Sequence, residues 1–317
     1  MERRHERVIL TYAAAATIAF GCAGAVPRSG AAAAQVFAPG IVSGPADDAS
    51  PAFAPDGKAI YFARSGDGTS TVLESHLVKG RWSRPEIAPF SGRWSDQHPS
   101  MAPDGSYVIF VSTRPVPGTA GHVANLWRVD RTARGWSAPR HLPATVNIGR
   151  QIFAPSVAAD GTIYFLSISR GGSFQLYDAR YRNGSYEAAT RVSFSTPATA
   201  DVDPQIAPDG TFIVFASSGR SGAADTFEHL FVAAYRNGTW TNLHRLRYRG
   251  DEANGGSNDN EPRLSPDGRR LYFTSDRTLP IRYPRTRPRA QADLARIQSW
   301  DNGNTNVWSL PFAGPGS

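Results

Sequence analysis

One cysteine, two methionines and two lysines are all that 317 residues contain of those types. Cys22 is the lone cysteine, so no disulfide can staple the chain, and any fold must hold by core packing. Lys58 and Lys79 are the lysines; the remaining basic charge is arginine. The formal charge of +7 would suit an anionic partner. The arginines are scattered, however, with neither a basic helix nor a nucleic-acid motif, which argues against nucleic acid as that partner. There is no G-x-S-x-G elbow, no P-loop and no H-E-x-x-H, so the best-known hydrolase, nucleotide and zinc-protease signatures are missing. The seven histidines (5, 76, 98, 122, 141, 229, 244) show no metal-ligand spacing. The apolar run at residues 8–20 is short for a membrane span.

What the chain does have is a repeat, the first thing to seek in any sequence. Pro55-Asp56-Gly57 recurs as Pro103-Asp104-Gly105, Ala159-Asp160-Gly161, Pro208-Asp209-Gly210 and Pro266-Asp267-Gly268. From Asp56 through Asp104, Asp160 and Asp209 to Asp267 the steps are 48, 56, 49 and 58 residues. Four residues before each Pro/Ala-Asp-Gly stands another proline: Pro51, Pro99, Pro155, Pro204, Pro262. After it comes a β-rich run: Ile60-Tyr61-Phe62, Val108-Ile109-Phe110, Ile163-Tyr164-Phe165, Ile213-Val214-Phe215, Leu271-Tyr272-Phe273. Proline presets the first turn position, Asp tolerates the second, and Gly closes a bulged hairpin. Each copy therefore opens with two antiparallel strands.

A second half-repeat follows. Asn125-Leu126-Trp127, Gln175-Leu176-Tyr177, His229-Leu230-Phe231 and Asn306-Val307-Trp308 supply a third strand. Gly80-Arg81-Trp82, Gly135-Trp136, Gly184-Ser185-Tyr186 and Gly238-Thr239-Trp240 turn it into a fourth. Four antiparallel strands per period of about fifty residues is one propeller blade. The fold class is therefore all-β: a single β-propeller of five four-stranded blades, six being the alternative if a degenerate blade hides in residues 279–304. The fifth period stops after its third strand, near Leu310. Phe37-Ala38-Pro39-Gly40-Ile41 resembles the fourth-strand segment Trp82-Ser83-Arg84-Pro85-Glu86-Ile87, so an N-terminal strand is expected to complete the last blade and close the ring.

On these residues the repeat resembles the TolB-type propeller repeat, a Pro-Asp-Gly cousin of the WD repeats, over roughly residues 36–312. The resemblance implies a propeller fold. It leaves function open, since relatives include periplasmic scaffold proteins, propeller domains of prolyl oligopeptidases and some sugar-acid lyases.

Residues 1–34 read as an export signal and residues 35–317 as the propeller domain. Arg3, Arg4 and Arg7 precede the apolar run, and small residues follow it. Ala19-Phe20-Gly21-Cys22 resembles a lipoprotein box, with Cys22 as the lipidated residue; cleavage within Ala32-Ala33-Ala34 is the alternative. Either way the protein is expected in the periplasm or anchored to a bacterial membrane.

One acidic position recurs three residues before the repeat proline: Asp48, Asp96, Asp201 and Asp259, with Ile152 in blade three. Asp203 and Glu261 add carboxylates directly before the proline in blades four and five, and His98 lies near the same mouth beside Asp96. First strands line a propeller channel, so these seven residues are the candidate ligand-binding set at one mouth. A cation such as Ca²⁺, which wants several oxygens, is one reading. The other is structural. An arginine recurs near the end of each second strand (Arg64, Arg114, Arg170, Arg220, Arg277) and could pair with the aspartates across neighbouring blades.

Three insertions break the period: residues 115–123 with His122, residues 249–260 rich in Asp and Asn, and residues 279–304. The last carries Arg282, Arg285, Arg287, Arg289 and Arg296, with a short helix expected over residues 290–299. The sum is an exported, monomeric, non-enzymatic binding platform in the bacterial envelope, holding an envelope protein, a small molecule or a saccharide. The competing class is a carbohydrate-active lyase or hydrolase working through channel carboxylates, with His98 as base.

Overall fold

The turn chemistry acts as its residues dictate. In a computed structural model of the chain, the glycine of each repeat turn takes a φ of 68 to 85°. The aspartate before it accepts the amide N–H two residues on: Asp56 from Lys58, Asp104 from Ser106, Asp160 from Thr162, Asp209 from Thr211, Asp267 from Arg269. These Asx turns fix five hairpins. Where blade three has Ala159 in place of proline, the freed N–H donates to Pro208 O of the next blade at 2.8 Å.

The structure describes residues 32–116, 118, 123–149, 151–168, 172–220, 226–249 and 257–315. Cys22, His122, Arg170, most of the 249–260 insertion and the export-signal reading of residues 1–31 lie outside the described residues. Among the described residues no helix is long and apolar enough to cross a membrane.

Five four-stranded antiparallel sheets form the ring of a β-propeller. The innermost strands are Asp47–Phe53, Asp96–Met101, Ile152–Val157, Ala200–Ile206 and Asp259–Leu264. The second strands carry Phe62, Phe110, Phe165, Phe215 and Phe273, all 0% exposed, one between each pair of neighbouring sheets. The glycine–aromatic turns fold each third strand back in register, pairing Leu77 with Trp82, Arg131 with Trp136, Tyr181 with Tyr186 and Tyr235 with Trp240.

An N-terminal strand closes the last blade. Gln35–Val36 pairs antiparallel with Asn306–Pro311, setting Gln35 against Ser309 and Val36 against Trp308. The pairing strand lies just ahead of the 37–41 segment singled out by similarity. Phe37 still donates its N–H to Val307 O, but its ring leaves the sheet to pack edge-on against Phe53, Trp82 and Tyr272. No sixth blade is hidden in residues 279–304. That insertion folds as the helix Arg287–Ser299, capped by Thr286 and starting three residues earlier than expected because proline suits a first helical turn.

Candidate functional site

Every innermost strand bulges at the same place. Ser50, His98, Ala154, Asp203 and Glu261, each directly before the repeat proline, have φ between 47 and 52°. The strand register shifts there in all five blades. A left-handed non-glycine residue costs of order 1–3 kcal/mol, and a following proline normally enforces an extended one. The device repeats even at Ala154, so it belongs to the scaffold. The residue each blade holds there is what differs.

The bulge brings three candidates together. His98 Nε2 lies 2.9 Å from Glu261 Oε1. Glu261 Oε2 accepts the Ser50 N–H at 2.8 Å and the Thr274 hydroxyl at 2.7 Å. The Glu261 N–H donates to Asp203 Oδ2 at 3.3 Å. One donor atom each from His98, Asp203 and Glu261 falls within 4.8 Å of the others, so three blades converge on one point in the channel.

The other four candidates go elsewhere. Asp48, Asp96, Asp201 and Asp259 are buried against arginines of their own blades, not of neighbouring ones. Arg64 reaches Asp48 at 2.6 Å, Arg114 reaches Asp96 at 2.8 Å, Arg220 reaches Asp201 at 2.6 Å, and Arg277 is hydrogen-bonded to Asp259 and Tyr248. Asp48 faces Arg64 directly across the first and second strands; Asp96, Asp201 and Asp259 face Ser112, Ser217 and Ser275, and their arginines follow two or three residues later on the same chain segment and fold back. Each guanidinium also caps its blade's buried phenylalanine, over Phe62, Phe110, Phe215 and Phe273 at 4.9 to 5.6 Å. Blade three fills the aspartate's place with Ile152, 2% exposed.

Arg263, Glu228 and Phe153 complete the channel, and none of them stood out in the sequence. Arg263 is 3% exposed and reaches from the last blade toward Pro204 O and Pro155 O, each at 3.5 Å, so it crosses the channel. Glu228 accepts from Asn260 at 2.8 Å, and burial raises its carboxyl above the ordinary value. Phe153 packs edge-on to the His98 ring at 6.0 Å. Aligning the five repeats would have exposed Arg263: the position after the proline reads Ala52, Ser100, Ser156, Gln205, Arg263.

Asp203 and Glu261 are driven apart. Burial pushes the Asp203 carboxyl up to about 7, and the Glu261 charge adds to it. Burial acts on Glu261 as well, but the bonds from His98 and Thr274 and the charges of His98 and Arg263 outweigh it, holding Glu261 at about 2. A divalent cation could find three donors here. It would have to take Glu261 from His98 and sit beside the Arg263 guanidinium. Ca²⁺ prefers six to eight oxygens, and the four arginine-bound aspartates do not contribute theirs to this point.

A pH dependence follows. An acid raised by folding is bound to its proton more tightly in the folded state, so stability falls as pH rises from its unfolded to its folded value. For Asp203 that window runs from about 4 to about 7. Asp48, which burial raises to about 6 against the pull of Arg64, steepens the lower part. Glu261 acts oppositely: its contribution is lost as pH drops from about 4.5 toward 2. The melting temperature should peak near pH 4–5, and Asp203→Asn should flatten the decline up to pH 7. An unaltered decline in that variant would contradict the assignment.

A closed ring of five blades with Pro-Asp-Gly turns has the fold of a TolB-type β-propeller. Among solved structures the chain is similar to a protein described as TolB from Agrobacterium tumefaciens, at 17% identity over 85% of this chain and 91% of that one, TM-score 0.51. It is also similar to a thermostable family-43 glycoside hydrolase, at 12% identity over 85% and 91% of the two chains, TM-score 0.53. A third is the Bacteroides ovatus xyloglucan PUL GH43B, at 15% identity over 89% of this chain and 54% of that one, TM-score 0.50. At these identities the likeness is one of fold alone. No protein-family model matches the chain, and no curated protein does.

Proposed function

We propose that the protein is an exported binding propeller of the bacterial envelope that holds a small polar ligand, a saccharide by chemical class, without transforming it. One observation carries this reading. The face at which the innermost strands begin opens into a basin of 780 Å³. Its wall mixes carboxylates, hydroxyls and amides with one aromatic: Asp47, Asp67, Ser95, Gln97, Gln151 and Phe153. Sugar hydroxyls want such donors and acceptors, and a sugar ring packs on an aromatic side chain. Phe153 joins this wall to His98 and the carboxylates. The 279–304 insertion leaves the ring on the same face, since it follows a second strand and second strands end where first strands begin. Export rests on the sequence of residues 1–34, and a monomer on a ring whose last blade is closed by its own chain.

A non-catalytic role is supported by Glu261, whose oxygens are already taken by His98, Ser50 and Thr274. One observation favours the other class. Asp203 and Glu261 differ widely in pKa within one channel, the pattern expected of an acid and a base in glycoside cleavage. A panel of neutral oligosaccharides, tested for a rise in melting temperature of the full chain and for release of reducing ends, separates the two. A rise without products supports binding; products move the protein to the enzyme class; no rise with any saccharide overturns the reading.

A further inference from the structure

The channel has a second mouth, and its chemistry is unlike the first. At the Pro-Asp-Gly face, where the innermost strands end, lies a cavity of 190 Å³. Its walls are mixed: Phe53, Met101, Val157 and Leu264 with the repeat prolines give an apolar side, and Ser100, Gln205 and Ser265 add polar groups. Arg263 lines it from the channel side.

That arginine is unusual. It is 3% exposed, yet it spends its five N–H donors poorly. One bond, to Pro262 O, is 2.9 Å; those to Pro204 O and Pro155 O are 3.5 Å. Its Nε finds no hydrogen-bond partner among the described residues. The four repeat arginines, by contrast, each hold an aspartate directly. Asp203 and Glu261 act on Arg263 only through their charges, and burial draws its guanidinium below the ordinary value despite them. A buried guanidinium short of acceptors, at the end of a pocket that also presents apolar side chains, is the arrangement that selects a carboxylate carrying an apolar group.

We infer that the Pro-Asp-Gly face binds a small apolar carboxylate, its chain among Phe53, Met101, Val157 and Leu264 and its carboxylate on Arg263. The site is separate from the saccharide basin and uses different ligands, so either assignment can fail without the other. An acyl acid and a peptide end with an apolar last residue share this chemistry.

The test uses the full chain with hexanoate and N-acetyl-alanyl-leucine as probes, and hexanamide and N-acetyl-alanyl-leucinamide as uncharged counterparts. Each acid that binds should raise the melting temperature by about 3 °C at saturation, and its amide should not. A larger rise with the dipeptide makes the natural ligand a peptide end; a larger rise with hexanoate makes it an acyl chain. Arg263→Met should abolish both rises. Should that variant not fold, Met101→Trp fills the cavity while keeping the arginine and should abolish them equally. Amides that act as well as acids, no rise with either acid, or a rise that survives Met101→Trp would overturn the assignment.

Discussion

A chain lacking residues 35–44 should melt at least about 10 °C below the full chain, because those residues do three things at once. Gln35–Val36 supplies the outer strand of the last blade, and without it Asn306–Pro311 becomes an open edge ready to pair with another molecule. Phe37, half-buried, gives up contacts with Phe53, Trp82 and Tyr272, a part of the roughly 3–5 kcal/mol that truncating a fully buried ring costs. Val42 is fully buried, and the Ser43 hydroxyl exchanges hydrogen bonds with the N–H and carbonyl of Val307. Residues more than 260 apart in sequence are thereby tied together. Calorimetry of the deletion variant checks this, and aggregation on heating should accompany the lower transition. A melt within a degree or two of the full chain would mean that the ring does not depend on its closing strand.

The second large effect concerns the aspartate–arginine pairs. Asp96→Ala should cost about 3–5 kcal/mol, since it leaves a buried guanidinium facing no carboxylate. Asp96 is 0% exposed and also accepts from the Ser91 hydroxyl at 2.9 Å, so both of its oxygens are in use. The double change Asp96→Ile with Arg114→Met should restore most of the loss. Blade three already has an isoleucine, Ile152, at the aspartate's place, and well-packed apolar replacements of a buried ion pair are often neutral or better. Urea unfolding of the three chains gives the comparison. If the single variant is as stable as the parent, the pair is not a scaffold element. If the double variant is as weak as the single one, the pair does something that packing cannot replace.

The repeat made the fold legible, and it also misdirected part of the search for a site. Pro-Asp-Gly, the β-branched and aromatic runs, and the glycine–aromatic turns each dictate one local structure, so five copies gave five blades and their strand order. Recurrence drew equal attention to Asp48, Asp96, Asp201 and Asp259. A residue that recurs from blade to blade is serving the blade, and these four hold arginines of their own blades. The channel is lined where the copies disagree. Before the proline stand Ser50, His98, Ala154, Asp203 and Glu261; after it, Ala52, Ser100, Ser156, Gln205 and Arg263. His98, Asp203 and Glu261 were visible as candidates, but not that they meet. A residue before proline is expected to be extended, and only the left-handed bulge turns these three toward one another. Arg263 was obscured among 34 basic residues, because its burial depends on blades that only the closed ring brings together.

Under the proposed function, the basin and the cluster beneath it, rather than the recurring aspartates, hold the ligand. Isothermal titration with a saccharide that raises the melting temperature tests this most directly, on the full chain and three variants. Binding should weaken at least about tenfold in Gln151→Ala and in Phe153→Ala, the loss of roughly 1.4 kcal/mol expected when one good contact goes. It should persist in the Asp96→Ile with Arg114→Met chain, whose changes lie in a scaffold pair. Undiminished binding in both basin variants, or binding lost only when the aspartate–arginine pair is replaced, would contradict the account.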